Sequence, residues 1–416
     1  MASKGKRKKA MPRAKAAPRA EAGADAVPAE PTVADAGARP AGRPAATRRS
    51  PRAPRWAWLC TISGALLMLF SGGVLVGSEV LLARYQGAVA QGDLFGDEAL
   101  GATPPPKRSS IQGPLNLLLV GIDPRQGQEN EPPRSDSVMV MHVTEGLDRA
   151  YLFSMPRDLV VDIPAFPKAG FGGSTEKLNA AMAYGSRVPG QVRPDPVRGF
   201  ELLALTVSNY TGIKRFDAGA IINFSGFQKI VDAIGGVDMY IDTDVKSEHR
   251  RPDGSYREGK KWGEGYVGPQ ATYTVGPAHL KGWQALDYVR QRYGLPNGDY
   301  DRQRHQQQFV KAMVEQAFSR DVVTNPLKLD SVLRAAGESL IFNGRGSSVA
   351  DFGFALRNLR SESIEMVRFP GGGIGVGANY RGEALEPVAK QFFAAMLAGT
   401  ADDFLAGHPE LVNKDK

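Results

Sequence analysis

Thiols are nearly missing from this sequence. Cys60 is the one cysteine in 416 residues, so neither an intrachain disulfide nor a cysteine-built metal site can form. A domain without thiols suits an oxidising exterior but does not imply one. Histidine is scarce as well. The five His are scattered without zinc-ligand spacing, and His142, set among alternating apolar neighbours, reads as structural. The glycine-rich run Gly371–Gly377 is not followed by Gly-Lys-Ser/Thr, which excludes a P-loop and leaves a loop. No Gly-x-Ser-x-Gly elbow occurs, which removes the serine-hydrolase reading. Internal repeats are absent. Basic charge is also missing from most of the chain. The formal net charge is +8, yet residues 1–55 hold 14 Lys/Arg against 4 Asp/Glu, leaving 38 and 40 in the other 361 residues. A nucleic-acid partner for the folded part therefore has no electrostatic support. The tail has no aromatic side chain for stacking on bases.

What is present falls into segments. Residues 1–55, rich in Ala, Pro, Arg and Lys, bury too little apolar surface to offset the entropy of ordering, and read as a disordered tail. Trp56–Ser78 follows, 23 residues without a charge between Arg55 and Glu79. At ~1.5 Å rise per residue this run spans a bilayer core of roughly 30 Å. The competing reading is a cleaved signal peptide. Its Ala88-Val89-Ala90 triplet lies well past the apolar run, and the run exceeds the usual apolar core of about 7–15 residues. The Lys/Arg excess before the span predicts a cytoplasmic N-terminus, a single pass through the cell membrane and an extracytoplasmic C-terminal domain. Residues 79–111, with Pro104-Pro105-Pro106, read as a linker.

From 112 onward, strand-like and helix-like patterns alternate. Leu115–Val120, Ser137–Val143, Tyr151–Ser154, Ala220–Ile222 and Val237–Ile241 read as strands. Helical periodicity covers about 175–184, 198–210, 224–234, 281–290, 302–318 and 327–340. The alternation predicts an α/β fold, a central mixed β-sheet flanked by helices on both faces. Residues 244–278, polar and glycine-rich, read as a hairpin excursion. Charged groups gather at element ends: Asp123, Arg134-Ser135-Asp136, Arg157-Asp158, Arg290-Gln291-Arg292, and Asp299-Tyr300-Asp301-Arg302 with His305 and Gln306. Two carboxylates at strand ends can hold Mg²⁺ beside phosphate oxygens. Arginines clamp diphosphate with planar forks. Arg290 and Arg292 point the same way on an extended exit, and Arg302 and Gln306 share a helical face. Asp299 or Asp301 could equally be a helix cap, Asp136 a partner of a surface arginine, and Arg157-Asp158 a local ion pair.

The ordered motifs Leu-Leu-Leu-Val-Gly-Ile-Asp123, Arg134-Ser-Asp136, Ser-Met-Pro-Arg157-Asp158 and Lys177-Leu-Asn179-Ala-Ala continue through the chain. Asn223-Phe-Ser-Gly-Phe, Ile-Val-Asp232-Ala-Ile-Gly-Gly-Val-Asp238, Ala-Leu-Asp-Tyr-Val-Arg290-Gln-Arg292 and Gly-Asp299-Tyr-Asp-Arg302 follow. Over residues 115–320 this series resembles the LytR-CpsA-Psr (LCP) family of cell-envelope enzymes. The resemblance implies an LCP-like catalytic domain at 112–320, with 321–416 as the end of that domain or a small accessory part. It implies transfer of a secondary cell-wall glycopolymer from a polyprenyl-diphosphate carrier to peptidoglycan at the membrane lipid surface, with a possible pyrophosphatase side activity. Asp123 and Asp136 would hold Mg²⁺ (or Mn²⁺). Arg157, Arg290, Arg292, Arg302 and Gln306 would bind the diphosphate, and Asp123, Arg157 and Asp299 would be catalytic. His305 stands where the family often has another arginine. A membrane-anchored transcriptional attenuator and a non-catalytic polyprenyl-phosphate binder are the rival readings.

Overall fold

The computed structural model describes residues 90–91, 94–95, 111–123, 127, 129–260, 265–317, 319 and 325–413. The expected tail (1–55), membrane span (56–78) and most of the linker (79–111) lie outside them. Among the described residues no helix is long and apolar enough to cross a membrane.

In chain order come strands β1 (Ala90–Gln91), β2 (Leu115–Ile122), β3 (Ser135–Val143), β4 (Ala150–Met155), β5 (Val160–Ile163) and β6 (Ser174–Lys177). Helices α1 (Leu178–Gly185) and α2 (Pro196–Thr211) precede β7 (Ala218–Asn223), α3 (Phe224–Ile234) and β8 (Val237–Ile241). Four two-residue strands follow: β9 (Val245–Lys246), β10 (Glu258–Gly259), β11 (Tyr266–Val267) and β12 (Thr272–Tyr273). Then come β13 (Gly276–Leu280), α4 (Gly282–Arg290), α5 (Asp299–Ala317), α6 (Pro326–Ser339), β14 (Leu340–Asn343) and α7 (Val349–Ala355). The chain closes with β15 (Ile364–Val367), β16 (Gly371–Ile374), β17 (Gly382–Leu385), α8 (Pro387–Leu397) and α9 (Ala401–Gly407).

The central sheet has the order β1-β14-β7-β2-β3-β4-β15 and mixes parallel and antiparallel pairs. Its faces follow the two-residue period of a strand. Leu118, Val120, Val138, Val140, Tyr151 and Phe153 pack with α1, α2 and α8 in one core. Leu117, Leu119, Met139, Met141 and Leu152 pack on the other face, against side chains of α3, α5 and α7. Helices therefore cover both faces, as the alternation of patterns requires. Local chemistry places the helix ends. Asp195 caps α2 by accepting from Val197 N at 2.9 Å, with Pro196 in the first turn and left-handed Gly212 beyond the last. His142 is buried on β3, where burial holds its imidazole down to about 4 and so neutral.

Three expectations need correction. The run Gly371–Gly377 is not all loop, because Gly371–Ile374 pairs with β17 as a strand. Residues 175–184 are not one helix. Ser174–Lys177 pairs with β5 as a strand, and the helix starts at Leu178, whose amide donates to Leu159 O at 2.8 Å. The polar segment Ser-Thr-Glu-Lys gains a hairpin partner that an isolated helical turn would lack. Val237–Ile241 is a strand, but it pairs with β13 outside the central sheet. The excursion 244–278 holds two antiparallel pairs, β9 with β12 and β10 with β11 nested inside it. Residues 321–416 add β14 and β15 to the sheet. They also bring Phe369, Phe392 and Phe393 to the core around Phe153.

Candidate active site

Strands β2 and β7 are parallel, and β4, antiparallel to β3, runs in their direction. Their C-terminal ends share one edge of the sheet, the place where open α/β sheets collect ligands. Asp123 follows β2 directly, Phe224 follows β7, and Arg157 lies two residues past β4. The neighbouring strand β3 starts at this edge. Gly121 faces Ser137 while Ile122 faces Ser135, so Asp136 is the extra residue of a bulge. A bulge breaks the strict alternation and re-aims a side chain; Asp136 lines the cleft at the edge.

Two helices complete the site. After α4, Gln291 is extended (φ −65°, ψ 133°) and turns inward, 2 % exposed, onto Asp287. Arg290 and Arg292 on either side of it both line the cleft. On α5, Arg302 and Gln306 lie one turn apart and line it too. The cleft has a volume of about 910 Å³. It gathers Asp123, Asp136, Arg157, Arg290, Arg292, Arg302 and Gln306 from five separate stretches of chain.

The charges interlock. Arg157 Nη1 meets Asp136 Oδ1 at 2.7 Å, with Asp158 at 3.7 Å and Asp299 at 3.9 Å from its Nε. Burial alone would lower the Arg157 guanidinium, but the bond to Asp136 and these three charges hold it above its ordinary value. Arg290 pairs with Asp123 at 3.3 Å and stacks 3.9 Å from the Phe224 ring centroid. Arg302 pairs with Asp299 at 2.6 Å and donates to Asp136 O at 3.2 Å. Burial, together with nearby Arg157 and Arg292, lowers it, with Asp299 opposing. Gln306 accepts from Ser137 Oγ at 2.9 Å and donates to Val289 O at 3.2 Å, tying α5 to both β3 and α4.

Asp299 does not line this cleft. It faces an adjoining hollow, and its carboxylate sits behind Arg157 and Arg302. Neither acid is the helix cap: α5 begins at Asp299 itself, and Asp301, buried in its first turn, reaches back to accept from Asn297 N at 2.8 Å. His305 is fully buried away from the cleft, stacked on Tyr288 at 4.6 Å and 3.5 Å from Asp242. It therefore does not occupy an arginine's place among the cleft side chains. Three further cleft residues stand outside the expected ligand set: Arg134, its partner Asn179, which accepts from it at 3.1 Å, and Phe224, which supports Arg290. Their one sequence signal was membership in the motif series.

Among the described residues, the cleft is lined by five carboxylates (Asp123, Glu131, Asp136, Asp158, Glu248) and five guanidiniums (Arg134, Arg157, Arg290, Arg292, Arg302), whose formal charges cancel. No group of three or more His, Cys, Asp or Glu among the described residues is placed to hold a metal. Mg²⁺ needs fewer: one or two carboxylates, with phosphate oxygens and waters completing its octahedron. Asp123 and Asp136, at the ends of paired strands on one cleft, fit that donor set.

The family model described as the LytR_cpsA_psr family matches residues 97–396. A relative from Enterococcus faecalis is named polyisoprenyl-teichoic acid–peptidoglycan teichoic acid transferase TagU. It is 28% identical over 265 residues, covering 63% of this chain and 73% of its own length. The cell wall biosynthesis protein LcpA of Corynebacterium glutamicum is 27% identical over 287 residues, which cover 63% of this chain and 51% of LcpA. The crystal structure of Bacillus subtilis TagV shares the fold, with a TM-score of 0.50 and 22% identity over 70% of this chain and 98% of that one. A match that takes in the whole sheet edge, both arginine-bearing helices and β15 leaves one assignment: this chain belongs to the LytR_cpsA_psr family.

Proposed function

We propose that the chain transfers a secondary cell-wall glycopolymer from a polyprenyl-diphosphate carrier to peptidoglycan, forming a phosphodiester. The observation that carries this reading is the convergence of Arg157, Arg290, Arg292 and Arg302 with Asp123 and Asp136 in one cleft at a sheet edge. The transferase and cell-wall names of the relatives support it.

The arginines bind the diphosphate through charge-assisted forks and meet the charge that grows on its oxygens. The acceptor hydroxyl oxygen bonds to the phosphorus that carries the glycopolymer, and the P–O–P bridge breaks. The carrier leaves as its monophosphate, and the hydroxyl proton passes to the Asp123 carboxylate. Arg290, which holds Asp123 at 3.3 Å, keeps that carboxylate at the cleft wall. Asp299 acts through Arg157 and Arg302 as a positioning residue. Asp123 and Asp136 would hold Mg²⁺ (or Mn²⁺), which when bound supplies two positive charges that the balanced lining lacks. With water as the acceptor, the same groups support pyrophosphatase turnover.

The uncharged span 56–78 would hold the domain, on the outer side of the cell membrane, where a lipid-linked donor is met in two dimensions. The test is reconstituted transfer from a polyprenyl-diphosphate donor to peptidoglycan. Arg157→Ala and Arg290→Ala variants with native circular dichroism should lose most turnover. Full turnover in both variants would refute the reading.

A further inference from the structure

Beside the main cleft lies a second hollow of about 310 Å³, lined in part by Asp158, Arg292, Tyr293, Tyr300, Tyr380 and Glu383. Asp158, Arg292 and Tyr293 line both spaces, so whatever fills the hollow sits next to whatever fills the cleft. At the small end of ligand pockets, roughly 300–1,000 Å³, it has room for one ring rather than a chain.

Its lining selects among ligand classes. Asp158, Glu383 and Asp299 outnumber Arg292 there, which disfavours a second phosphate by like-charge repulsion. An apolar ligand would leave these carboxylates and hydroxyls unsolvated, at a free-energy penalty. A neutral polyhydroxylated ring meets neither objection. Its hydroxyls can donate to the carboxylates and the phenol oxygens and accept from Arg292, while its C–H face packs on an aromatic ring. Tyr293 and Tyr380 are 59% and 38% exposed, so their rings remain open to a ligand.

The polar edge is held in place before any ligand arrives. Glu383 accepts from Tyr380 Oη at 2.7 Å and from Tyr300 Oη at 3.2 Å. Burial and Glu383 raise both phenols above their ordinary value, so they remain donors. Lys177 Nζ lies 4.9 Å from the Tyr380 ring centroid and supports it from behind. The glycine-rich hairpin β16–β17 gains a purpose here. A Cβ on Gly371 would come within 2.7 Å of Tyr300 Oη, and one on Gly382 within 2.5 Å of Asp158 O. Glycine lets this hairpin close against the sheet edge and set Tyr380 and Glu383 over the hollow.

We infer that this hollow is a pyranose subsite that holds a sugar ring next to the diphosphate. The inference rests on the transferase reading for the role of the sugar, not for its binding. Two sources carry this chemistry, the acceptor glycan and the first sugar of the donor.

The test uses the full chain in detergent and its Tyr380→Ala, Tyr380→Phe and Glu383→Gln variants, with melting temperatures to confirm folding. Three probes are titrated calorimetrically. They are a soluble tetrasaccharide of alternating N-acetylglucosamine and N-acetylmuramic acid, a short polyprenyl diphosphate, and the same lipid carrying one N-acetylglucosamine. Tyr380→Ala and Glu383→Gln should weaken a sugar-bearing probe about tenfold, the size expected when a hydrogen bond to a charged group is lost. Tyr380→Phe, which keeps the ring, should weaken it less, and the sugar-free lipid should bind unchanged. An effect on the tetrasaccharide assigns the subsite to the acceptor; an effect on the sugar-bearing lipid assigns it to the donor. The inference is overturned if neither sugar-bearing probe binds or is weakened, or if the sugar-free lipid is weakened equally. Failure of the transferase reading looks different: the wild-type chain binds neither lipid, while the tetrasaccharide still reports on the hollow.

Discussion

Helix α5 carries charge on two faces, and the two are built for different ends. On one face Arg302 and Gln306 look into a cleft of about 910 Å³. On the other, Arg304 meets Asp242 at 3.0 Å and Asp301 at 3.1 Å, with buried His305 3.5 Å from Asp242. Gln308 donates to the same Asp242 at 2.8 Å. The inner cluster binds charge to charge within the fold; the outer one leaves a space for an anion between its members. The residue types are nearly the same. What differs is whether the facing element is the open edge of the central sheet or the packed pair β8–β13.

The largest difference should appear in turnover. Replacing Arg302 by Ala removes a preorganised donor from the region of growing charge. Transfer should fall about 10²–10³-fold, the usual loss for one such donor, with donor binding also weaker. Replacing Arg304 by Ala should leave the turnover of folded protein within a few-fold. It should instead lower stability by about 1.5–3 kcal/mol, because two shielded acids lose a half-buried partner. Steady-state transfer and urea unfolding on both variants decide. Equal turnover losses would erase the distinction between the faces.

Metal removal tests the outer face alone. Chelation of divalent ions should reduce transfer more than about tenfold, given that a bound cation can supply several kcal/mol of charge stabilisation. Adding Mg²⁺ should restore it, and Asp123→Asn should need more Mg²⁺ for half-maximal rate. The melting-temperature difference between the inner cluster's variants and the wild type should be the same with and without the ion, because both keep the Asp123 and Asp136 site. Chelator-resistant transfer by the wild-type chain would remove Asp123 and Asp136 from any metal role.

Much of the outer face was legible from residues alone, and the physical reason is local. Arg290 and Arg292 straddle one extended residue, and Arg302 and Gln306 are one helical turn apart, so short-range periodicity places each pair. The strands β2, β3 and β4 announce themselves by apolar runs ending at charged turns. Other features depend on contacts distant in sequence. Asp136 gains its direction from a bulge against Gly121 and Ile122, which no strand pattern reveals. Ser174–Lys177 is a strand because β5 offers it hydrogen bonds. Asp299 and His305 share a helix with the cleft residues, yet they face a neighbouring hollow and a buried aromatic ring. Glu383 reaches Tyr300 across 83 positions, so the hollow has no local signature beyond an unexplained run of glycines.

The inner face offers its own two tests. His305→Arg would place an arginine at this position, which opens onto Tyr288 and Asp242 rather than the cleft. Overpacking there should destabilise the chain by about 1–3 kcal/mol, without tightening polyprenyl-diphosphate binding. Tighter binding with unchanged stability would mean the side chain reaches the cleft after all.

The smallest effect concerns pH. Burial works against the Asp242 charge, but the bonds from His305 and Gln308 and the charges of Arg304 and His305 prevail, holding its carboxyl down at about 2 against an ordinary 3.8. A carboxyl depressed on folding contributes stability that is fully present above its unfolded value and is lost as pH falls through the folded one. The window is therefore pH 3.8 to 2, and the loss is on the order of 2 kcal/mol. His142, held down to about 4, loses its contribution earlier, between pH 6.5 and 4, so the two scarcely overlap. Urea midpoints at pH 4 and pH 2.5 should differ less in Asp242→Asn than in the wild-type chain, because the amide cannot titrate. If the variant showed the same acid loss as the wild type, the inner cluster would not be holding Asp242 ionised. The contrast between the two faces of α5 would then reduce to exposure alone.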